Sequence, residues 1–327
     1  MSDHPHPPSF DENILKKVEA LQEKYAAMGQ DLNAYLDGLL HADYLTYWDY
    51  INLDTLLSLQ HPITPFPDES IFIIYHQITE LYFKLALHEL DQLNTSASKD
   101  PDLILKRVSR VNRYFEALTH SFEIMVDGMD QDQFLKFRMS LLPASGFQSA
   151  QYRMIEIRST SFDRFLREEV REKYEDHAPG DLEELYSHIY WKAGAVELAT
   201  GKKTLTLRQF EVKYDRTLLE LAENTFEVNL RSLWNGLPVA AQTDDLRQAL
   251  RWLDTNVNIN WPLSHYKSAV RYLQRDPEDI AATGGTNWQK YLPPRFQRRI
   301  FYPELWSEQE LANWGKGWVE KEVFGAK

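Results

Sequence analysis

Three stretches of this sequence place side chains capable of chemistry at spacings that a helix brings together. In the first, Phe72, His76 and Glu80 follow at four-residue steps within Pro67 to Lys84, so a ring, an imidazole and a carboxylate line one helical face. An imidazole there can bind a metal or exchange hydrogen bonds near neutral pH. A single histidine on such a face is more often an ordinary core residue. In the second stretch, Phe134 and Arg138 share a face before the pattern breaks at Pro143 and turns through Ser145 and Gly146. An arginine beside rings can hold a carboxylate by two parallel charge-assisted hydrogen bonds, and a glycine lets a ligand approach the backbone; the plain alternative is a helix-to-helix turn. In the third, His265 lies among aromatics between Trp261 and Leu273, Arg271 follows, and a polar loop leads to Thr283-Gly284-Gly285. A haem-ligating histidine needs an apolar surround and often a nearby cation for a propionate, a description many core histidines also meet.

Helices must position these groups. Glycine is scarce at 13 residues, and long segments repeat apolar positions every three or four residues, so the chain is expected to be all-α, a single domain of long stacked helices. The expected helices are Phe10 to Met28, Leu32 to Leu40, Leu53 to Leu59, Glu69 to Leu93, Pro101 to Met129, Gln131 to Leu141, Gln148 to Ile157, Thr160 to Lys173, Leu182 to Trp191, Leu207 to Trp234, Asp244 to Arg275 and Glu308 to Lys321. Pro67 with Asp68 and Glu69 marks a helix start. Thr204 to Leu207 alternates like a strand but has no partner strand, and is read as loop or helix entry. Arg171 to Asp181 is read as a connecting loop, since helical pattern resumes on both sides. Residues 1–9, with His4 and His6, read as a flexible tail, and residues 10–327 as one domain.

Composition narrows the chemistry. Hydrophobic residues make up 43% and aromatic residues 13%, enough to build a thick core or line a flat apolar pocket. A net charge of -13 argues against nucleic acid as a partner. With no cysteine, the chain cannot form disulfides, iron–sulfur clusters or thiolate-ligated haem, so any metal must rest on His, Asp, Glu or Tyr. No apolar run spans a bilayer and the N-terminus lacks signal-peptide features, so a cytoplasmic location without membrane attachment is expected.

Taken together, the stretches resemble the tryptophan 2,3-dioxygenase family, within the histidine-ligated haem-dependent aromatic oxygenases. The resemblance covers most of the chain. It is carried by Tyr47-Trp48-Asp49-Tyr50-Ile51-Asn52-Leu53-Asp54 with Leu56, Leu57 and Gln60, and by Asp68-Glu69, Phe72-Ile73-Ile74, His76-Gln77 and Glu80-Leu81. Phe137-Arg138, Leu141 and Ala144 to Ser149 form a third block, and Trp261, His265, Arg271 and Thr283-Gly284-Gly285 a fourth. The resemblance implies haem b with His265 as its axial ligand, Trp261 one helical turn before that ligand, and Arg271 toward the cofactor. It implies that His76 accepts a hydrogen bond from the indole N–H, that Phe72 and Phe134 wall the indole, and that Arg138 pairs with the substrate carboxylate. Thr283 would meet the amino-acid end, Ser145 and Gly146 would cross the pocket, and Tyr47 and Tyr50 would enter from a neighbouring subunit of a homotetramer. The implied reaction opens the C2–C3 bond of L-tryptophan with dioxygen as co-substrate, giving N-formylkynurenine, the first step of tryptophan degradation.

The sequence departs from the family pattern after His265. The connection Gln274 to Ala281 is long and acidic, Ala282 stands where the family has glycine, and Thr286-Asn287-Trp288 puts a bulky indole in a usually slender loop. A substituted tryptophan or another indole therefore stays open as substrate, as does insertion of one oxygen atom instead of two. A haem-binding sensor or scaffold without turnover is the third reading; a carboxylate clamp beside an aromatic wall speaks against it.

Overall fold

The fold was read from a computed structural model, which describes residues 11–95, 100–141, 148–174, 181–195, 202–273, 294 and 298–316. The described residues are all-α; their regular pairing amounts to one isolated antiparallel bridge, Leu166 with Ile189. The chain divides into two compact units, residues 1–59 and 60–327.

The first unit is four helices: α1 (Glu12–Ala27), α2 (Leu32–Leu40), α3 (Tyr47–Tyr50) and α4 (Leu53–Leu57). Asp11 and Asp31 cap α1 and α2 by accepting from the amides of Asn13 and Asn33, at 2.8 and 2.9 Å. Gly29, at φ +65°, turns the chain between them. None of the four helices contains a buried residue.

The second unit carries the core. The 28-residue α5 (Asp68–Thr95) starts on the buried carboxylate of Glu69, which accepts from the amides of Ile63 and Thr64 at 2.9 and 2.8 Å and from the Thr64 hydroxyl. Pro101 and the capping carboxylate of Asp100 start α6 (Pro101–Ser121). Ile104, Val108, Val111, Phe115 and Leu118 form its buried stripe against Phe83, Leu87 and Leu90 of α5. Phe115 is fully buried, and truncating it to Ala is expected to cost about 3–5 kcal/mol. Short helices α7 (Glu123–Asp127) and α8 (Gln131–Phe137) follow, the latter running into the 3-10 turn Arg138–Leu141. Beyond them come α9 (Ala150–Ser159), α10 (Glu168–Arg171), α11 (Leu182–Ser187), α12 (Tyr190–Gly194), α13 (Leu205–Thr225) and α14 (Leu230–Asn235). The rod α15 (Asp244–Thr255), a π turn Asn256–Asn260 and α16 (Trp261–Leu273) runs without interruption, and α17 (Glu308–Ala312) closes the described order.

Several expected helices break where local chemistry overrules periodicity. The expected Pro101 to Met129 helix stops at Phe122, and Leu207 to Trp234 splits at Asn229, whose side chain accepts from Ser232 N and starts α14. Thr160 to Lys173 is not one helix but a 3-10 turn, Phe162–Phe165, the bridged Leu166, and the single turn α10. The alternating Thr204 to Leu207 is a helix entry: the Thr204 hydroxyl accepts from Leu207 N. No helix among the described residues is long and apolar enough to cross a membrane.

Candidate active site

Two histidines, each tethered to its own helix, define the site. On α5 the Nδ1 of His76 lies 2.7 Å from the carbonyl oxygen of Phe72, one turn earlier. On α16 the Nδ1 of His265 lies 3.0 Å from the carbonyl oxygen of Trp261, again one turn earlier. A carbonyl only accepts, so in both rings Nδ1 carries the proton and donates, and Nε2 keeps its lone pair free.

Both side chains are half-buried, and desolvation favours their neutral forms. His265 is pushed down to about 4, first by burial and also by His76, against the Trp261 carbonyl, which raises it. His76 is lowered by burial too, opposed by the Phe72 carbonyl and by Glu80. The two rings are therefore near enough for a charge on one to disfavour a charge on the other. Glu80 is held in turn by Gln151 of α9, whose amide donates to its carboxylate at 2.7 Å and its carbonyl at 2.9 Å.

Aromatic rings enclose the pair. The rings of Phe72 and His76 lie 4.0 Å apart, and Phe134 stands 6.5 Å from Phe72. Phe137 adds a third wall, 5.8 Å from Phe72 and 5.6 Å from Phe134. Around His265, the Phe122 and Trp261 centroids each lie at 4.5 Å, and Phe122 also meets Tyr75, the neighbour of His76, edge-on at 5.7 Å. Tyr75, Phe122 and Phe137 were not singled out as site residues from the sequence, although Phe137 belongs to a matched block. Tyr75 and Phe137 adjoin residues that were, whereas Phe122 sits at a helix end whose direction no periodicity gives.

Arg138 opens the 3-10 turn after α8 and is 4% exposed; burial lowers its proton affinity. Such a guanidinium attracts a carboxylate strongly because both would be desolvated. Arg271 stands apart at the end of α16, exposed, 3.4 Å from the carboxylate of Asp127. Tyr47 and Tyr50, in the first unit, are 71% and 75% exposed. Ser145, Gly146, Thr283 and the altered connection Gln274 to Trp288 lie outside the described residues, as do His4 and His6.

A sequence model of the tryptophan 2,3-dioxygenase family matches residues 39–227. The chain belongs to the tryptophan 2,3-dioxygenase family. Membership in this haem-dependent dioxygenase family makes it an enzyme. It is 30% identical to the tryptophan 2,3-dioxygenase of Bacillus thuringiensis subsp. konkukian over 82% of its own length and 94% of the relative's. To the tryptophan 2,3-dioxygenase of Pseudomonas fluorescens it is 29% identical, over 81% of its own length and 90% of the relative's. The matched family span takes in Tyr47, Tyr50, Phe72, His76, Phe134 and Arg138, while His265 lies beyond it.

Proposed function

We propose that this chain opens the indole C2–C3 bond of L-tryptophan with dioxygen to give N-formylkynurenine, using haem b held by Nε2 of His265. The observation that carries this reading is the pair of neutral, Nδ1-tethered imidazoles on α5 and α16, ringed by Phe72, Phe122, Phe134 and Trp261. The donor set fits haem. Among the described residues no three His, Asp or Glu side chains converge to hold a bare metal ion, so an iron on His265 would bring its remaining ligands with it, as a macrocycle does. When bound, the haem supplies the redox chemistry that makes dioxygen reactive toward the indole.

The protein supplies orientation. His76 Nε2, free as an acceptor, takes the indole N–H and fixes which edge of the ring is presented. Phe72 and Phe134 bury the indole faces, from which most of the affinity comes. Arg138 pairs with the substrate carboxylate, and Ser145, Gly146 and Thr283 are assigned to the same substrate by resemblance. Trp261 and Phe122 keep water from His265. Arg271 is assigned to a haem propionate; its bond to the exposed Asp127 contributes little and yields easily.

We further propose a homotetramer in which Tyr47 and Tyr50 complete a neighbour's site, in the cytoplasm, with residues 10–327 acting as one functional domain; the expected tail, residues 1–9, lies outside the described residues. The first unit supports this: its helices bury nothing, and Tyr44, Tyr47 and Tyr50 are 94%, 71% and 75% exposed. The test is mass spectrometry of the product from reduced, haem-loaded protein, L-tryptophan and isotopically labelled dioxygen. Two labels in N-formylkynurenine are expected; one label would make the enzyme a monooxygenase, and no product from any indole amino acid would remove catalysis.

A further inference from the structure

The rod that carries His265 contains a defect whose position has a cause. Pro262 sits inside a helix; in a regular α-helix its ring would clash with the carbonyl of residue 258 and its missing N–H would leave that carbonyl unserved. The backbone responds by widening for one turn, Asn256–Asn260, with the Trp261 amide bonding back five residues to the Asn256 carbonyl. One additional residue in a turn rotates everything downstream by about 100°. The widened turn therefore decides which way His265, five residues past its end, faces.

Three elements hold this turn. From α6, Asn112 Oδ1 accepts from Asn256 Nδ2 at 3.2 Å, Asn256 Oδ1 accepts from Asn260 Nδ2 at 2.8 Å, and Asn112 Nδ2 donates to the Ala249 carbonyl at 2.9 Å. From the C-terminal side, the wholly buried Asp254 accepts from the amides of Phe301 and Tyr302 at 2.9 and 3.2 Å, from Trp306 Nε1 at 3.0 Å and from Asn258 Nδ2 at 2.8 Å. From α9, the Tyr152 hydroxyl donates to the Val257 carbonyl at 2.8 Å.

This polar cluster is poorly explained as a stabilising core. Among the described residues the buried amide oxygens of Asn258 and Asn260 meet no donor, a cost that apolar side chains of similar size would avoid. A buried polar network with such a cost specifies one arrangement over its neighbours. The arrangement it specifies ends at Trp261, whose carbonyl accepts from His265 Nδ1 and whose ring packs 4.5 Å from the imidazole.

We propose that the π turn, with Asp254 and the Asn112–Asn256–Asn260 amide ladder, is a positioning device that sets the angle at which His265 presents Nε2 to the haem iron. The inference rests on the reading of His265 as that ligand. In this reading Asn112 and Asn256 act through His265, by their bonds to Ala249, to each other and to Asn260.

The experiment is resonance Raman spectroscopy of the iron–imidazole stretching band in reduced protein after reconstitution with haem. It compares wild type with His265→Ala, Asn112→Ala, Asn256→Leu, and Asn229→Ala, a buried asparagine on the turn before α14, outside the ladder. Circular dichroism first establishes that each variant is folded, and Asn112→Ala, the mildest change, leaves the sequence from Asp254 to His265 intact. We expect the band in wild type, its loss in His265→Ala, a shifted or broadened band in both ladder variants, and a wild-type band in Asn229→Ala. Haem transfer to an acceptor protein should be roughly fivefold faster in the ladder variants, the effect of one lost hydrogen bond. If the ladder variants keep the wild-type band, or Asn229→Ala shifts it equally, the positioning role fails while the ligand assignment stands. If wild type shows no such band, or His265→Ala retains it, the ligand assignment fails and takes this inference with it.

Discussion

Phe72 engages His76 twice, its carbonyl oxygen 2.7 Å from Nδ1 and its ring 4.0 Å from the imidazole. One residue thereby fixes both the tautomer of His76 and the tilt of its plane, leaving Nε2 as an acceptor aimed away from the helix. His76→Ala is expected to keep haem and lower kcat/KM for L-tryptophan about tenfold, the worth of one buried hydrogen bond. With L-tryptophan methylated at the indole nitrogen, which offers no N–H, the difference between variant and wild type should vanish. An equal loss with both substrates would remove the hydrogen bond from the account.

The depressed proton affinity of His265 has a measurable consequence in the haem-free protein. Its folded value of about 4 lies below the ordinary 6.5, so between those pH values the unfolded chain binds a proton that the folded chain refuses. Stability from this group is thus present above 6.5 and falls away as the solution is acidified toward 4. Asp254, raised to about 6 chiefly by burial, works in the opposite direction over much of the same range, so the whole-protein profile hides the effect. Comparison with His265→Leu cancels Asp254: the variant should gain about 2 kcal/mol on wild type between pH 7.5 and 5. Urea melts of the two apo proteins measure it, and a pH-independent difference would show the imidazole to be solvated.

Arg138, 4% exposed at the end of α8, is expected to read the carboxylate of the substrate. Arg138→Lys keeps the charge but not the fork, and Arg138→Ala removes both. The alanine variant should lose about 10- to 100-fold in kcat/KM for L-tryptophan, the lysine variant less, mostly through KM. Tryptamine, which lacks the carboxylate, should be processed equally by all three; if it suffers as L-tryptophan does, Arg138 shapes the pocket and does not clamp the substrate.

What is legible in the amino-acid order follows the range of the interactions involved. His76 and Phe72 were legible because a four-residue step is a contact in any helix, and Thr204 was legible as an entry because capping is local. The end of α6 at Phe122 and the break at Asn229 were not, since tertiary packing and a side-chain cap overrule an unbroken apolar rhythm there. Asp254 was invisible for a different reason. Three of its four partners lie 47 to 52 residues away, and the Asn112 link to Asn256 spans 144 residues. Yet the alternation Asp254, Asn256, Asn258, Asn260 ahead of Trp261-Pro262 is a signal that the sequence does carry: its period of two is that of a strand and is out of place within a helical stretch.

The exposed tyrosines of the first unit lead to a complementation test. If Tyr47 and Tyr50 complete a neighbour's site, a Tyr47→Ala, Tyr50→Ala subunit still offers an intact haem site, and a His265→Ala subunit still offers intact tyrosines. Each alone should be nearly inactive: about a hundredfold raised KM is expected for the first from losing two packed rings, and no haem for the second. Dissociated and reassembled together, they should recover a substantial fraction of wild-type activity. Absence of recovery in mixed oligomers of demonstrated composition would confine each site to one chain.

Glu156 of α9 is the wholly buried anion between two buried cations, with Arg153 donating to one oxygen at 2.9 Å and Arg299 to the other at 2.6 Å. The Tyr190 hydroxyl accepts from both guanidiniums and donates to Glu156, all at 2.6 Å, which ties α9, α12 and the segment at Arg299 into one polar knot. Glu156→Gln preserves the shape and removes the buried anion bonded to both guanidiniums, leaving two desolvated positive charges close together. That loss is expected to cost about 3–5 kcal/mol, or on the order of 10 °C in Tm for a chain of this size. The double variant Arg153→Met, Glu156→Gln removes one of the stranded cations and should recover part of the loss, because the penalty lies in unpaired charge and not in missing volume. A single variant as stable as wild type, or a double variant that is worse than the sum of its parts, would place the stabilising contribution of this knot in its ring packing, where Arg153 lies 4.9 Å above Trp191.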